Sequence, residues 1–305
     1  MAGSAHIIAI IGPTASGKSA LALAVAQALG GEILSVDSMQ VYRRMDIGTA
    51  KPTADEQRRV RHHLIDVAQP DQTFTVARFV DLADAVIADA AARQVPLVAT
   101  GGSPLYYKAL FEGMFEGPGA NEALRARLGQ LSGSELHARL TQVDPAAAAR
   151  IHENDHKRLV RALEVYELTG RSISSLQTEW SDPKPRHEAL WFGLIWEKEA
   201  LSRRINARVK EMMAAGWVDE TRELLAHHGT LSKTAAEATG YRELIDHLGG
   251  RLSLDDAVEQ IKVATRQLAR RQMKWFRRFP GVTWLAGDAP LADNVSRVVQ
   301  GWRDR

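Results

Sequence analysis

The sequence predicts an α/β fold, a mostly parallel sheet flanked by helices and interrupted by a helical insertion. Three observations predict it. An apolar run, Ile7–Ile11, breaks into a glycine loop and then into a helical pattern. Short apolar runs alternate with helix-period stretches as far as Ser103, as βα units require. Between Gly117 and Arg186 the strand character disappears, and it returns only at Ala189.

The elements follow in order. Ile7 to Ile11 is too short for a helix and reads as a buried strand. Helical spacing runs over Lys18–Leu29 and stops at Gly30-Gly31, where glycine supplies a left-handed cap. Ile33 to Val36 is a second strand, ending at Asp37-Ser38, and "HHLIDV", His62 to Val67, is a third. Phe79, Val80, Ala83, Val86, Ile87 and Ala90 recur at helical spacing, and "VPLVATGGS", Val95 to Ser103, is the next strand with its exit loop. "NEALRARLGQL", "DPAAAARI" and "NDHKRLVRALEVYELTG" are helical pieces separated by breakers. Strand character resumes in "ALWFGLIW", Ala189 to Trp196, followed by an amphipathic helix in "RRINARVKEMMAAGW". A basic helix, "IKVATRQLARRQMKWF", and a short strand, "VTWLAG", close the pattern. The expected division is a sheet-bearing core of residues 1–116 and 187–305, with a helical insertion at 117–186.

Composition narrows the function classes. At 305 residues the chain can bury one large core or two smaller ones. Hydrophobic residues at 45% and charged residues at 25% fit a soluble globular protein. A formal charge of only +2 means that attraction to a polyanion must come from local patches. Absence of cysteine excludes disulfides, thiolate zinc sites and a cysteine nucleophile. Gly12-Pro13 ends the first apolar stretch early, and no apolar run reaches membrane-spanning length. A soluble, cytoplasmic protein is expected, with no membrane association.

Gly12 to Ser19, "GPTASGKS", fits G-x-x-x-x-G-K-[ST] with a strand before it and a helix after it. That context marks a phosphate-binding P-loop, so the fold expected is P-loop NTPase-like. The glycines let the backbone of Gly12, Pro13, Thr14, Ala15, Ser16 and Gly17 turn its N–H groups (Pro13 has none) inward about phosphate oxygens. Lys18 adds a full positive charge and the Ser19 hydroxyl is placed for Mg2+. The loop does not say which polyphosphate. No Asn-Lys-x-Asp guanine motif is present, which argues against a GTPase. Asp37 is the nearest Walker-B-like acid, but the polar and aromatic stretch after it is laid out to meet something large. On these residues alone, a small-molecule kinase and a non-catalytic RNA-binding P-loop protein both stay open.

A resemblance narrows this. "GPTASGKS", "SVDSMQVYRRMDIGTAKP", "HHLIDV", "GGSPLYYKAL", "NDHKRLVRALEVYELTG", "TGYRE" and "ATRQLARRQMKWFR" occur in the order seen in the tRNA dimethylallyltransferases, which the chain resembles from about Ile7 to Trp284. The resemblance implies transfer of a dimethylallyl group from dimethylallyl diphosphate to N6 of the adenosine just 3′ of the anticodon. The tRNAs concerned read codons that begin with U. It also implies Mg2+ as cofactor, tRNA (through its anticodon stem-loop) and dimethylallyl diphosphate as partners, and alkyl rather than phosphoryl transfer. A monomer is expected.

The same resemblance assigns roles. Gly12–Ser19 and Arg208 would hold the diphosphate, guanidinium being suited to bidentate phosphate contact; unaided, Arg208 reads equally as an exposed helical arginine. Asp37 would accept the amine proton; unaided, it reads equally as a cap for Ser38 or a magnesium holder. Ser103 stands where the family commonly has threonine and would keep the hydroxyl contact to substrate. Asp37, Ser38, Met39 and Gln40 would surround the target nucleotide, which must be unstacked and read at its edge. Arg125 and the stretch Lys157, Arg158, Leu159, Val160 and Arg161 would touch tRNA, although charge pattern alone favours a solvated helix face. Tyr241-Arg242 would stack and bind phosphate, while the neighbouring acid Glu237 departs from some relatives and is awkward beside RNA.

Lys262, Arg266, Arg270 and Lys274 fall at successive i+4 positions, and like charges at that spacing suggest a polyanion partner. Trp275, Phe276 and Phe279 read as core. The doublets His62-His63 and His227-His228 lack metal-ligand spacing and read as structural or solvent-facing.

Overall fold

The computed structural model describes residues 7–113, 117–178 and 185–305. Along the first part of the chain lie β1 (Ile7–Ile11), α1 (Lys18–Leu29), β2 (Glu32–Ser35), α2 (Ala54–Arg59), β3 (His62–His63), α3 (Val76–Ala92), β4 (Leu97–Thr100) and α4 (Pro104–Glu112). Five helices follow: α5 (Glu122–Leu128), α6 (Gly133–Val143), α7 (Pro145–Ala148), α8 (His156–Thr169) and α9 (Ile173–Thr178). The chain then forms β5 (Ala189–Ile195), α10 (Lys198–Ala214), α11 (Trp217–His228), α12 (Lys233–Ala236), α13 (Tyr241–Leu248), α14 (Leu254–Phe276), β6 (Thr283–Ala286) and α15 (Leu291–Arg303).

The strands pair in parallel in the order β3-β2-β4-β1-β5-β6. β1 is buried at every residue, as a central parallel strand covered on both faces must be. Its alternate side chains feed two cores. Ile7, Ala9 and Ile11 join Leu34, Val36, Phe79, Leu97, Tyr241 and Phe276 on one face. Ile8 and Ile10 join Leu21, Val25, Ile33, Val98 and Val298 on the other. Phe276 and Phe279 pack edge-on to Tyr107, and Trp191 stacks on Phe279 at 5.1 Å between centroids.

The expected strand at 62–67 is cut to His62–His63. Leu64 and Asp66 take φ of +61° and +56°, which turns the backbone out of the extended region. Asp66 there receives the buried Lys51 ammonium, which also bonds the Tyr42 carbonyl and Asp46. The C-terminal helix α15 is an addition to the sequence reading.

By contacts the chain divides into Met1–Phe111 with His187–Arg305, and Glu112–Arg186. At the edge of the first unit the rings of Phe111 and His187 meet edge to face at 6.4 Å, and His187 Nε2 bonds Asp84 at 2.7 Å. The second unit has its own core of Leu124, Leu128, Leu136, Leu140, Leu159, Leu163, Val165 and Ile173. Its buried Asp144 caps α7 through the Ala147 N–H and takes both the N–H and hydroxyl of Ser174. Residues 179–184 of the expected insertion lie outside the described residues.

The segment "DIGTAKP" is anchored from below. The Glu220 carboxylate accepts the N–H groups of Asp46, Ile47 and Gly48 and the Tyr241 hydroxyl, at 2.6–3.2 Å. The indole of Trp217 presses on Gly48 and Gly240, where any Cβ would lie within 2.2 Å of it. Glycine is required there by close approach, and at Gly240 also by φ of +100°. "DIGTAKP" and "TGYRE" are thus two halves of one packed joint.

Candidate active site

The loops after β1, β2 and β4 all open at the carboxyl ends of neighbouring strands, the place where open α/β sheets bind ligands. After β1 comes Gly12–Ser19. Ala15 sits at φ of +61°, a strained conformation for a residue with a Cβ. It is held there from outside the loop. Arg204 Nε donates to the Ala15 carbonyl at 2.8 Å, and the guanidinium lies 4.4 Å above the Trp196 ring. Trp196 Nε1 in turn donates to the Ser16 carbonyl at 2.9 Å.

Two cavities share Lys18, Ser19, Pro52, His62 and Arg208 in their walls. The smaller, about 360 Å³, is closed by Ala15–Ser19, Glu56, Arg204 and Glu211. The larger, about 530 Å³, is lined by Asp37–Gln40, Gly101–Ser103, Glu237, Arg271 and Trp275 among others. Burial and then the neighbouring Arg208 push the Lys18 ammonium down to about 8, against the opposing pull of Asp37. Burial also lowers Arg208, with Asp37 and Glu211 pulling the other way. Neither cation has a carboxylate ion pair among the described residues; Lys18 Nζ reaches only the Pro13 carbonyl, at 3.3 Å. Two half-buried cations with no carboxylate ion pair make a site for a bound anion.

Asp37 is fixed by backbone. Its Oδ1 accepts Met39 N–H at 2.9 Å and Gln40 N–H at 3.4 Å, and its Oδ2 accepts Gly102 N–H at 3.2 Å. The carboxylate caps its own turn and still lines the larger cavity. Ser103 Oγ accepts Ser38 N–H at 2.9 Å and donates to Ser38 Oγ at 3.0 Å, so it joins the β2 and β4 loops. Gln40 is spent inside the protein, on Ser35 Oγ and the carbonyls of Thr49 and Ala50.

The expected tRNA-binding residues separate. Leu159 and Val160 are core positions of the helical unit, because α8 turns that side inward. Arg125 and Arg161 close on the fully buried Glu164 at 2.6–3.0 Å. Burial pushes that carboxyl up, but hydrogen bonds from Arg125, the Asn121 N–H and Arg161 outweigh it and hold it below the usual range. Of the stretch Lys157–Arg161, Lys157 and Arg158 are exposed. Tyr241 is fully buried in the joint described above, which rules out stacking on a base, while Arg242 is exposed.

Along α14 the row of four bases divides. Lys262 is buried and paired with Glu259 at 2.5 Å, and Arg266 bonds Asn206 at 2.6 Å. Arg270 and Lys274 are exposed. Trp275 lines the larger cavity instead of packing as core, and His62 lines both cavities. His62 Nδ1 donates to the Val60 carbonyl, which leaves Nε2 as the acceptor of the neutral ring.

A model of the IPP transferase family matches residues 40–279. The chain belongs to the IPP transferase family. It is 46% identical over 301 residues to a tRNA dimethylallyltransferase of Geobacter metallireducens, with 97% of each chain covered. It is 48% identical over 293 residues to one of Symbiobacterium thermophilum, covering 94% of this chain and 91% of that one. The full-length tRNA isopentenylpyrophosphate transferase of Bacillus halodurans superposes with a TM-score of 0.74 at 36% identity, covering 99% and 97%. A eukaryotic dimethylallyltransferase, described as acting on tRNA, gives 0.81 at 26% identity over 97% of this chain and 77% of its own.

In this IPP transferase the sequence reading omits Trp196, Arg204, His62 and Gln272 from the site. Arg204 stands one helical turn before Arg208 on α10, a spacing that could have drawn attention to it. Trp196 and Gln272 reach the loop only through tertiary contacts and carry no local signal.

Proposed function

We propose that this chain is a tRNA dimethylallyltransferase that uses dimethylallyl diphosphate to alkylate N6 of the adenosine 3′-adjacent to the anticodon. The observation that carries the chemistry is that Lys18 and Arg208, without carboxylate partners among the described residues, share a cavity wall with Asp37.

In the reaction the bond between the allylic carbon and the diphosphate oxygen breaks, and its electron pair leaves with diphosphate. The N6 lone pair forms the new C–N bond, and the N6 proton passes to Asp37. Lys18, Arg208 and the loop N–H groups stabilise charge on the departing diphosphate. Asp37, aimed by Gly102 and Met39, orients the amine and accepts its proton.

Ser19 is exposed and lines both cavities, and no group of three His, Asp or Glu among the described residues could hold a metal. These residues fit magnesium held by Ser19, substrate oxygens and water, the usual arrangement for this ion. Magnesium would supply further charge neutralisation at the diphosphate.

Exposed Lys157, Arg158, Arg242, Arg270, Arg271 and Lys274 are the basic groups offered to the RNA backbone. No helix among the described residues is long and apolar enough to cross a membrane, and a tRNA substrate supports a cytoplasmic location.

Incubation with radiolabelled dimethylallyl diphosphate and unmodified tRNA tests the reading. Label should appear on N6 of that adenosine. Folded protein that binds both substrates and leaves the RNA unlabelled would overturn it.

A further inference from the structure

Gln272 is buried on α14 in the wall of the larger cavity, and both ends of its amide are engaged. Its Oε1 accepts the Thr14 N–H at 2.8 Å and its Nε2 donates to the Gly102 carbonyl at 2.7 Å. Thr14 can only donate there and Gly102 only accept, so the amide has one orientation. The N–H of the same Gly102 donates to Asp37 Oδ2 at 3.2 Å. A continuous chain of hydrogen bonds therefore runs from the loop after β1, through Gln272 and Gly102, to the carboxylate after β2. There is no slack in it. A Cβ on Gly102 would lie 2.8 Å from Gln272 Nε2 and 3.2 Å from Asp37 Oδ2.

We infer that Gln272 is a positioning residue that sets the separation between the diphosphate-holding loop and the proton-accepting carboxylate. The inference rests on the functional reading given above for those two elements. Alkyl transfer needs the amine, the allylic carbon and the leaving diphosphate in line, and small misplacements there cost rate more than binding. In this role the amide of Gln272 is taken up by the Thr14 N–H and the Gly102 carbonyl, although the residue borders the cavity. It fixes the two groups that meet the substrates, and an amide is suited to this because it presents a donor and an acceptor side by side.

The test uses the full chain, with single-turnover transfer from radiolabelled dimethylallyl diphosphate to unmodified tRNA at saturating concentrations of both. Calorimetric binding of inorganic diphosphate and the thermal midpoint are measured alongside. Gln272→Met keeps the volume and loses both bonds. Its transfer rate should fall ~10–10²-fold while affinities for inorganic diphosphate and tRNA stay within about threefold.

Gln272→Glu keeps the acceptor for Thr14 but donates to Gly102 only while protonated. Its rate relative to the unaltered chain should fall as pH is raised from about 6 to about 9. Lys18, Asp37, His62, Arg208, Glu237 and Arg271 line the same cavity and are present in both proteins, so the ratio isolates position 272. Unchanged saturating rates in both variants would overturn the inference. So would a loss confined to diphosphate binding, or a pH-independent loss that tracks a lowered thermal midpoint. If the Met variant does not fold, the pH ratio of the Glu variant decides. An unaltered chain that transfers nothing would instead sink the functional reading itself.

Discussion

Around Gly12–Ser19, Lys18 and Arg208 are half-buried and have no carboxylate ion pair among the described residues. In the helical unit, Arg125 and Arg161 grip Glu164, which no solvent reaches. The same chemistry of burial has opposite outcomes. In the first region Asp37, and for Arg208 also Glu211, offset the desolvation cost only in part, and an incoming anion can offset more of it. In the second it is offset within the fold, at the moment of folding, and the charges have little left to give a ligand. A basic residue in a sequence motif is therefore informative about binding only once its partner is known. In "KRLVR" Arg161 is committed to the buried Glu164, while Arg158 lies 3.3 Å from Asp155 and stays exposed.

The sharpest way to break this comparison is at Asp37, the one anion that both unpaired cations feel. Asp37→Asn cannot take a proton at neutral pH, and single-turnover transfer should drop ~10²–10⁴-fold with donor and tRNA saturating. Repeating the rates at several magnesium concentrations separates base from metal holder, since recovery at high magnesium would assign Asp37 to the metal.

Next in size, Lys18→Ala and Arg208→Ala should each cost ~10²–10³-fold in transfer and weaken binding of inorganic diphosphate. The acid–base behaviour of Lys18 gives a second handle. With its ammonium titrating at about 8, diphosphate affinity of the unaltered chain should decline as pH rises past that value. Calorimetry across that range should find the decline absent in Lys18→Ala.

How much of this was legible beforehand depends on where the forming contacts lie. The strand Ile7–Ile11, the glycine loop and Lys18–Leu29 are contiguous, so periodicity and one motif place them together. Asp37 and Ser103 follow from strands that end beside that loop. Gln272 is 258 positions from Thr14, and nothing in a helix rich in Arg and Lys marks one amide as the bridge. Tyr241 looked like a stacking platform because its motif sits among polar residues; only Glu220 and Trp217, brought in by α11, show that it is core. The commitment of Arg161 was hidden for a different reason. Glu164 lies three residues on and reads as an ordinary surface acid until α8 turns it inward.

In the helical unit the expected effects are smaller and of another kind. Glu164→Gln removes the charge that both arginines grip. Because each arginine is about one-third exposed, the loss should be held to about 2 kcal/mol. The Glu164 carboxyl is depressed in the fold, so its contribution is present above the unfolded carboxyl value and is lost as pH falls through the folded one. Thermal melts by circular dichroism should show the variant's deficit near neutral pH and its disappearance in acid, with diphosphate affinity unchanged throughout. The smallest effect belongs to exposed Lys157 and Arg158. Reversing both charges should lower the slope of log affinity for tRNA against log salt by about 1–2. An unchanged slope would make them a solvated face.

The meeting of Phe111 and His187 has a consequence for how the chain assembles. These residues are the last and first of the sheet-bearing unit on either side of the helical one, and their rings lie edge to face with centroids 6.4 Å apart. The whole of Glu112–Arg186 is thus a closed excursion whose two ends are pinned together by the unit it leaves. Closing a long excursion is little harder than closing a short one, since each doubling of loop length adds only about 0.6 kcal/mol of entropy. β5 can therefore find its place beside β1 whether the intervening helices are folded, unfolded or replaced by a short flexible bridge. A change in the length of that excursion is therefore expected to leave the pairing of β5 with β1 in register, which circular dichroism of a chain with the excursion shortened would check.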